Sequence, residues 1–285
     1  LGVRPDGFHE IESIMQSVSL FDEVKCVEIH RNAVEIRCSD KNVPAGESNI
    51  CYKAVELIRK KCGVDKGVRI DIIKNIPMEA GLGGGSSNAA AVLIGLNKMW
   101  NLKLSDDELI VLAAEVGSDV PFFIVGGRCL CRGRGEIIEK ILNPKFEILN
   151  KSQITNFKQQ NFYIIIKPDV SVSTKWAYEG WDRTQNTEHG AQNTEHRAQN
   201  TEHRAQNTDS DLEPVVIKKY PIIGEIKQVL LESGCTSARM TGSGSAVFGI
   251  CRDKERGRGA LIKIKEKYPR SFLVSAVKKG CEVLS

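Results

Sequence analysis

The sequence predicts an α+β chain in two lobes, and three observations carry that prediction. Its 285 residues suit about two domains, and 41% hydrophobic with 27% charged residues is the composition of a soluble globular chain. Strand-like runs come in pairs joined by short turns, with helical stretches between the pairs. Residues 145–160 have weak periodicity and read as an inter-domain connection, after which the strong strand Phe162–Lys167 begins a second half. The expected division is therefore 1–150 and 151–285.

The elements follow in order. The chain opens on Leu1, not a start methionine, and reaches a turn at Pro5-Asp6-Gly7 almost at once, so further sequence is expected upstream. Phe8-His9 admits two readings: half-buried packing with a satisfied histidine, or a ring that stacks on a ligand beside an imidazole that reads the ligand's edge. Val24–His30 and Ala33–Cys38 read as strands joined by a short turn at Arg31-Asn32. Ser48-Asn49 opens a helix over Ile50–Cys62, and Gly63 stops it. The run Val68–Ile73 alternates as a strand, and Ala89–Trp100 is helical. Ser105-Asp106-Asp107-Glu108 is a capping box for a helix to Val116, which Gly117 ends. Arg128–Arg132 and Glu136–Ile141 pair across the turn Gly133-Arg134-Gly135. In the second half, Pro221–Ser233 is a helix closed by Gly234, and Ala238–Ile250 reads as strand, glycine turn, strand. Asp253–Lys267 is a charged amphipathic helix, and Phe272–Val277 a last strand.

The functional reading is organised around Pro77-Met78-Glu79-Ala80-Gly81-Leu82-Gly83-Gly84-Gly85-Ser86-Ser87-Asn88, where four glycines fall within five positions. A strand leads in and an apolar helix leads out. That arrangement aims free backbone N–H groups and the positive end of a helix dipole at one spot, and glycines let the backbone come close to a ligand. Phosphate is the natural occupant. Ser86, Ser87 and Asn88 supply short polar groups that cap the helix, touch phosphate or help to hold a metal ion. The P-loop is excluded because no Gly-Lys-Ser/Thr follows, and the dinucleotide fingerprint because its third glycine is Ser86.

Two further stretches stay open on the residues alone. In Gly117-Ser118-Asp119-Val120-Pro121-Phe122-Phe123, Asp119 is either a turn or cap aspartate or a partly desolvated carboxylate fit to act as a base. Gly242-Ser243-Gly244 is either a tight hairpin turn or a second backbone wall for phosphate or substrate.

A net charge of +4 is too mild for nucleic acid, and no basic stripe with interleaved aromatics exists; it suits an anionic small molecule. No run of about 18 apolar residues points to a membrane span, and no signal-peptide pattern is present at the start. Nine scattered cysteines without a CxxC pair read as reduced, buried thiols of a cytoplasmic protein, with Cys129 and Cys131 on one face of a strand. Residues 185–207 repeat Gln-Asn-Thr-Glu-His with a period of seven and hold three of the five histidines. A histidine repeat can capture metal, but the unit has nothing apolar to bury, so a solvated, disordered insert is expected. Its removal is expected to cost little, and a large fall in kcat/KM after deletion of 185–207 would overturn that.

Taken together, Pro77–Asn88, Gly117–Phe123 and Ala238–Phe248 resemble the GHMP kinase superfamily. Within it, Arg4-Pro5-Asp6-Gly7-Phe8-His9 resembles the 4-diphosphocytidyl-2-C-methyl-D-erythritol kinases. The resemblance implies a lobe like domain 2 of ribosomal protein S5 followed by a ferredoxin-like lobe, with the active site in the cleft between them. It implies ATP as phosphoryl donor, Mg²⁺, and a cytidyl diphosphate substrate phosphorylated on its 2-hydroxyl in non-mevalonate isoprenoid synthesis. Pro77 to Ser87 would hold the ATP phosphates, with Ser86, Ser87 and Asn88 near Mg²⁺, and Asp119 would activate the substrate hydroxyl. Phe8 would stack on cytosine and His9 read its edge. Asp169–Thr174 resembles the family's Pro-Gly-Val-Ser segment with Asp169 in place of glycine, and Tyr178 would close the second face of the cytosine. Gly242, Ser243 and Gly244 would line the substrate.

One departure is notable. The family carries a Lys-x-Asn strand just before the segment matched by Leu1-Gly2, and its lysine would lower the aspartate's pKa and stabilise transition-state charge. These 285 residues are therefore expected to bind nucleotide and turn over poorly, and full-rate activity would refute that. The same-class alternative is a homoserine kinase-like enzyme; the different-class alternative is a catalytically weak nucleotide binder.

Overall fold

The computed structural model describes residues 3–5, 7–141, 162–189 and 210–284. The chain gathers into two compact units. One holds Leu1–Pro77, Gly83–Leu142 and Ala276–Ser285, and the other holds Met78–Leu82 and Asn143–Ser275. The boundary expected near residue 150 and the 145–160 connection lie outside the described residues.

In the first unit, β1 (Ile11–Gln16), β5 (Arg128–Gly133) and β6 (Ile137–Lys140) form an antiparallel sheet in the order β1-β5-β6. A second sheet contains β2 (Glu23–Ile29), β3 (Val34–Cys38) and β4 (Gly67–Ile73). Strands β2 and β3 follow one another across a short turn, yet they are not partners. The order is β2-β4-β3, with β4 antiparallel to β2 and parallel to β3. The reason is burial: Val68, Ile70 and Ile72 of β4 are at most 3% exposed, and the most apolar strand takes the centre.

Four helices complete this unit: α1 (Ile50–Cys62), α2 (Gly84–Met99), α3 (Asp106–Val116) and the short α4 (Val120–Val125). The Asn49 side chain caps α1 by accepting from Cys51 N, and Gly63 ends it in the left-handed region at φ 63°. The Ser105–Glu108 capping box is present as expected. Helix α1 buries Cys51, Ala54, Val55 and Ile58, an i, i+3, i+4, i+7 stripe. It packs with Leu93, Leu96 and β4 in one core. Each such aliphatic side chain contributes roughly 1.5–3 kcal/mol by burial.

The second unit runs β7 (Phe162–Ile166), α5 (Thr174–His189), α6 (Glu213–Lys219), α7 (Ile222–Glu232), β8 (Ser237–Met240), β9 (Val247–Cys251), α8 (Lys254–Lys267) and β10 (Ser271–Ser275). Its sheet is antiparallel in the order β10-β7-β9-β8. Strand, helices, two strands, helix, strand with the first and third strands central is the ferredoxin-like arrangement expected for this half. Ile164, Ile166, Ile223, Ile226 and Leu230 form its fully buried core. Helix α5 continues through Gln185–His189, so the first repeat unit is helical rather than disordered. The later repeat units lie outside the described residues.

Candidate active site

The glycine stretch is shared between the two units. Its back half belongs to the first unit. Gly83 stands at the head of α2 with φ 65°, and no side chain caps the helix there. A Cβ on Gly83 would press into the Phe123 ring of α4. The Ser87 N–H donates to the Gly83 carbonyl at 2.8 Å, and the Ser87 hydroxyl donates to the Gly84 carbonyl at 2.9 Å. The start of α2 thus leaves its first amides without a side-chain cap, beside the exposed Gly85. Asn88 is 4% exposed. Its amide nitrogen donates to Asp22 at 2.9 Å.

Asp22 is a hub that the sequence reading missed. Its side chain is 1% exposed. One carboxylate oxygen accepts from the backbone N–H groups of Asn75 at 2.7 Å and Ile76 at 2.8 Å. The other accepts from Asn88 and from the ammonium of Lys74, whose side chain is 7% exposed. The Lys74 Nζ lies beneath α2: a Cβ on Gly84 would stand 2.8 Å from it and 3.0 Å from Ile76.

Asp119 begins α4, and its carboxylate makes no capping bond to that helix. Burial alone pushes its pKa above the ordinary carboxylate value. The β5–β6 turn covers it: a Cβ on Gly135 would stand 3.2 Å from Asp119 Oδ1. The same turn carries the segment around Phe8. Glu10 accepts from Gly133 N at 3.1 Å and from Arg4 at 2.7 Å, and Arg4 N donates to the Phe8 carbonyl at 2.7 Å. The Arg134 guanidinium sits 5.0 Å from the centre of the Phe8 ring, which is 49% exposed. His9 pairs as an isolated bridge with Val3. The first unit therefore gathers Phe8, the 133–135 turn and Asp119 around one sheet end.

The front half of the stretch, Met78–Leu82, belongs to the second unit. The Thr241 hydroxyl donates to the Ala80 carbonyl at 2.5 Å, Ala246 N donates to the same carbonyl at 3.2 Å, and the Ser245 hydroxyl donates to the Val170 carbonyl at 2.5 Å. Glu79 holds φ 50° and Gly81 φ 66°. A Cβ on Gly81 would collide with the Thr241 carbonyl. Gly242 and Gly244 take φ 48° and 90°, and Ser243 shares a 2.8 Å hydrogen bond with Thr174. The turn between β8 and β9 therefore backs Met78–Leu82. Buried Lys167 donates to the Pro168 and Val170 carbonyls at 2.8 Å each and fixes the segment before α5. Desolvation lowers its pKa. Tyr178 is half-buried on α5, packed at the edge of the second core.

Asp22, Lys74, Thr241, Ser245, Lys167 and Arg134 were not singled out from sequence. Among the described residues no three His, Cys, Asp or Glu side chains are arranged to hold a metal ion. All nine cysteines are free thiols, and Cys129 and Cys131 point into a cluster with Phe122. Burial pushes Cys51 and Cys281 up to about 12.

The model of the GHMP kinases N terminal domain matches residues 49–127, and that of the GHMP kinases C terminal matches 194–270. The 4-diphosphocytidyl-2-C-methyl-D-erythritol kinase of Thermoanaerobacter pseudethanolicus is 39% identical over 99% of this chain and 93% of its own length. That of Caldicellulosiruptor saccharolyticus is 40% identical over 93% and 88%. A crystal structure of a 4-(cytidine 5'-diphospho)-2C-methyl-D-erythritol kinase superposes with TM-score 0.71 at 25% identity, covering 96% of this chain and 92% of that one. The homoserine kinase from Cytophaga hutchinsonii has the same TM-score, 0.71, at 21% identity over 95% and 91%, and shares the fold. The chain belongs to the GHMP kinases, and among them to the family of the 4-diphosphocytidyl-2-C-methyl-D-erythritol kinases.

Proposed function

We propose that this chain transfers the γ-phosphoryl group of ATP to the 2-hydroxyl of 4-diphosphocytidyl-2-C-methyl-D-erythritol. The observation that carries the reading is kinship at 36–40% identity, across nearly the whole chain, with curated enzymes bearing that substrate's name. The residues support it. Phosphoryl transfer asks chiefly for positioning and for neutralising charge. The uncapped start of α2 and the glycines before it offer backbone N–H groups to the ATP phosphates. Asp119, its carboxylate free of helix capping and raised in pKa by burial, accepts the proton of the attacking hydroxyl. Mg²⁺ would be held by the Ser87 hydroxyl, whose hydrogen is given to Gly84 while its oxygen lone pairs remain, and by phosphate and water, neutralising charge on the phosphates.

Phe8 and His9 recognise the cytosine, with Tyr178 as second aromatic partner and Gly242, Ser243 and Gly244 along the substrate. The test is an assay with the cytidyl substrate and with homoserine. Transfer to the first alone supports the reading; transfer to homoserine with none to the first overturns it. In the same assay, Phe8→Ala raises KM for the cytidyl substrate by about tenfold and leaves KM for ATP unchanged.

A further inference from the structure

We infer that Asp22 is a positioning residue for the nucleotide. It fixes the two ends of the glycine stretch against each other and so sets the geometry of the amides that meet phosphate. The inference rests on the kinase reading for the identity of the anion.

The geometry leaves little slack. The carboxylate of Asp22 takes the Asn75 and Ile76 amides, where the chain leaves β4 and enters the stretch. It also takes the Asn88 amide, one turn inside α2. One buried side chain therefore bonds both the entry and the exit of the loop. Residue 22 is 54 positions from Ile76 and 66 from Asn88. Lys74 balances the charge of Asp22 and fills the space under Gly84, where any Cβ would meet its ammonium or Ile76. This explains why the first residue of α2 is glycine. A loop tied at one end keeps conformational freedom that phosphate must remove on binding; a loop tied at both ends has lost it already.

Removing one partner of a buried ion pair destabilises, whereas replacing both by neutral groups of similar shape is often tolerated. The test therefore uses the double variant Asp22→Asn with Lys74→Met, in the full chain, with Asn88 intact. In that variant the charge-assisted bond from Asn88 is replaced by at most one neutral amide–amide bond, made only if the Asn88 amide turns over, so the tie to α2 is weakened. Thermal unfolding and the Kd for a non-hydrolysable ATP analogue are measured together. The double variant is expected to unfold close to wild type and to bind the analogue roughly tenfold more weakly, with KM for the alcohol substrate unchanged. Asn88→Ala, which leaves the ion pair whole, is the second variant and should also weaken the analogue while KM for the alcohol stays. Folded variants with analogue Kd within about twofold of wild type would overturn the inference. A wild-type chain that binds the analogue and phosphorylates homoserine but not the cytidyl substrate would overturn the substrate reading alone.

Discussion

Asp119 shows how one residue's surroundings fix both its chemistry and its cost. Burial raises its pKa. A carboxylate whose folded pKa lies above its unfolded value binds protons more readily when folded. Its contribution to stability therefore falls as pH rises from the usual value of 3.8 through the raised one, and stays unfavourable at neutral pH. Asp119→Asn should abolish turnover, leave ATP binding near normal and leave the melting temperature at or above wild type. Turnover within about tenfold of wild type would remove Asp119 from its role. The acid limb of kcat/KM should lie above the ordinary aspartate range, because protonated Asp119 cannot act as a base. Gly81 is constrained differently. At φ 66° and against the Thr241 carbonyl, Gly81→Ala should cost both stability and nucleotide affinity, read by thermal unfolding and analogue binding.

Elements were legible where their signals are local. Asn49 and Gly63 bracket α1, and the Ser105 capping box opens α3, because caps act over three or four residues. Ser105→Ala should cost about 1 kcal/mol in chemical denaturation, and Leu93→Ala in the first core about 2–5 kcal/mol. Pairing partners were not legible. Strands β2 and β3 sit side by side in sequence, yet β4 enters between them, a choice made by distant burial rather than by the turn. Strand β1 lacks alternation, and α4 and α6 are 6 and 7 residues long, too short to carry a helical period. The glycine stretch and Asp119 were readable because their residue types are unusual for their setting. Asp22 was not, since an aspartate before a strand and a lysine after one look like ordinary surface residues until the fold buries them together.

At the scale of the whole molecule, the chain crosses from one compact unit to the other inside the glycine stretch, after Leu82. The motif that identifies the family is contiguous in sequence and divided in structure. Family membership was legible because it needs only the contiguous string, and the resemblance in the first half and in the β8–β9 turn agrees with the two matched family models. The supports of the string were not, because they are recruited from far along the chain.

The bond from Thr241 to Ala80 joins residues 161 positions apart. A gene cut near its midpoint would encode every glycine of the signature yet omit the hydroxyl that holds Ala80 beside them. Recombination between homologues at that junction would likewise mate a loop with a foreign brace. That one bond makes the earlier half of the gene depend on a residue encoded in the later half.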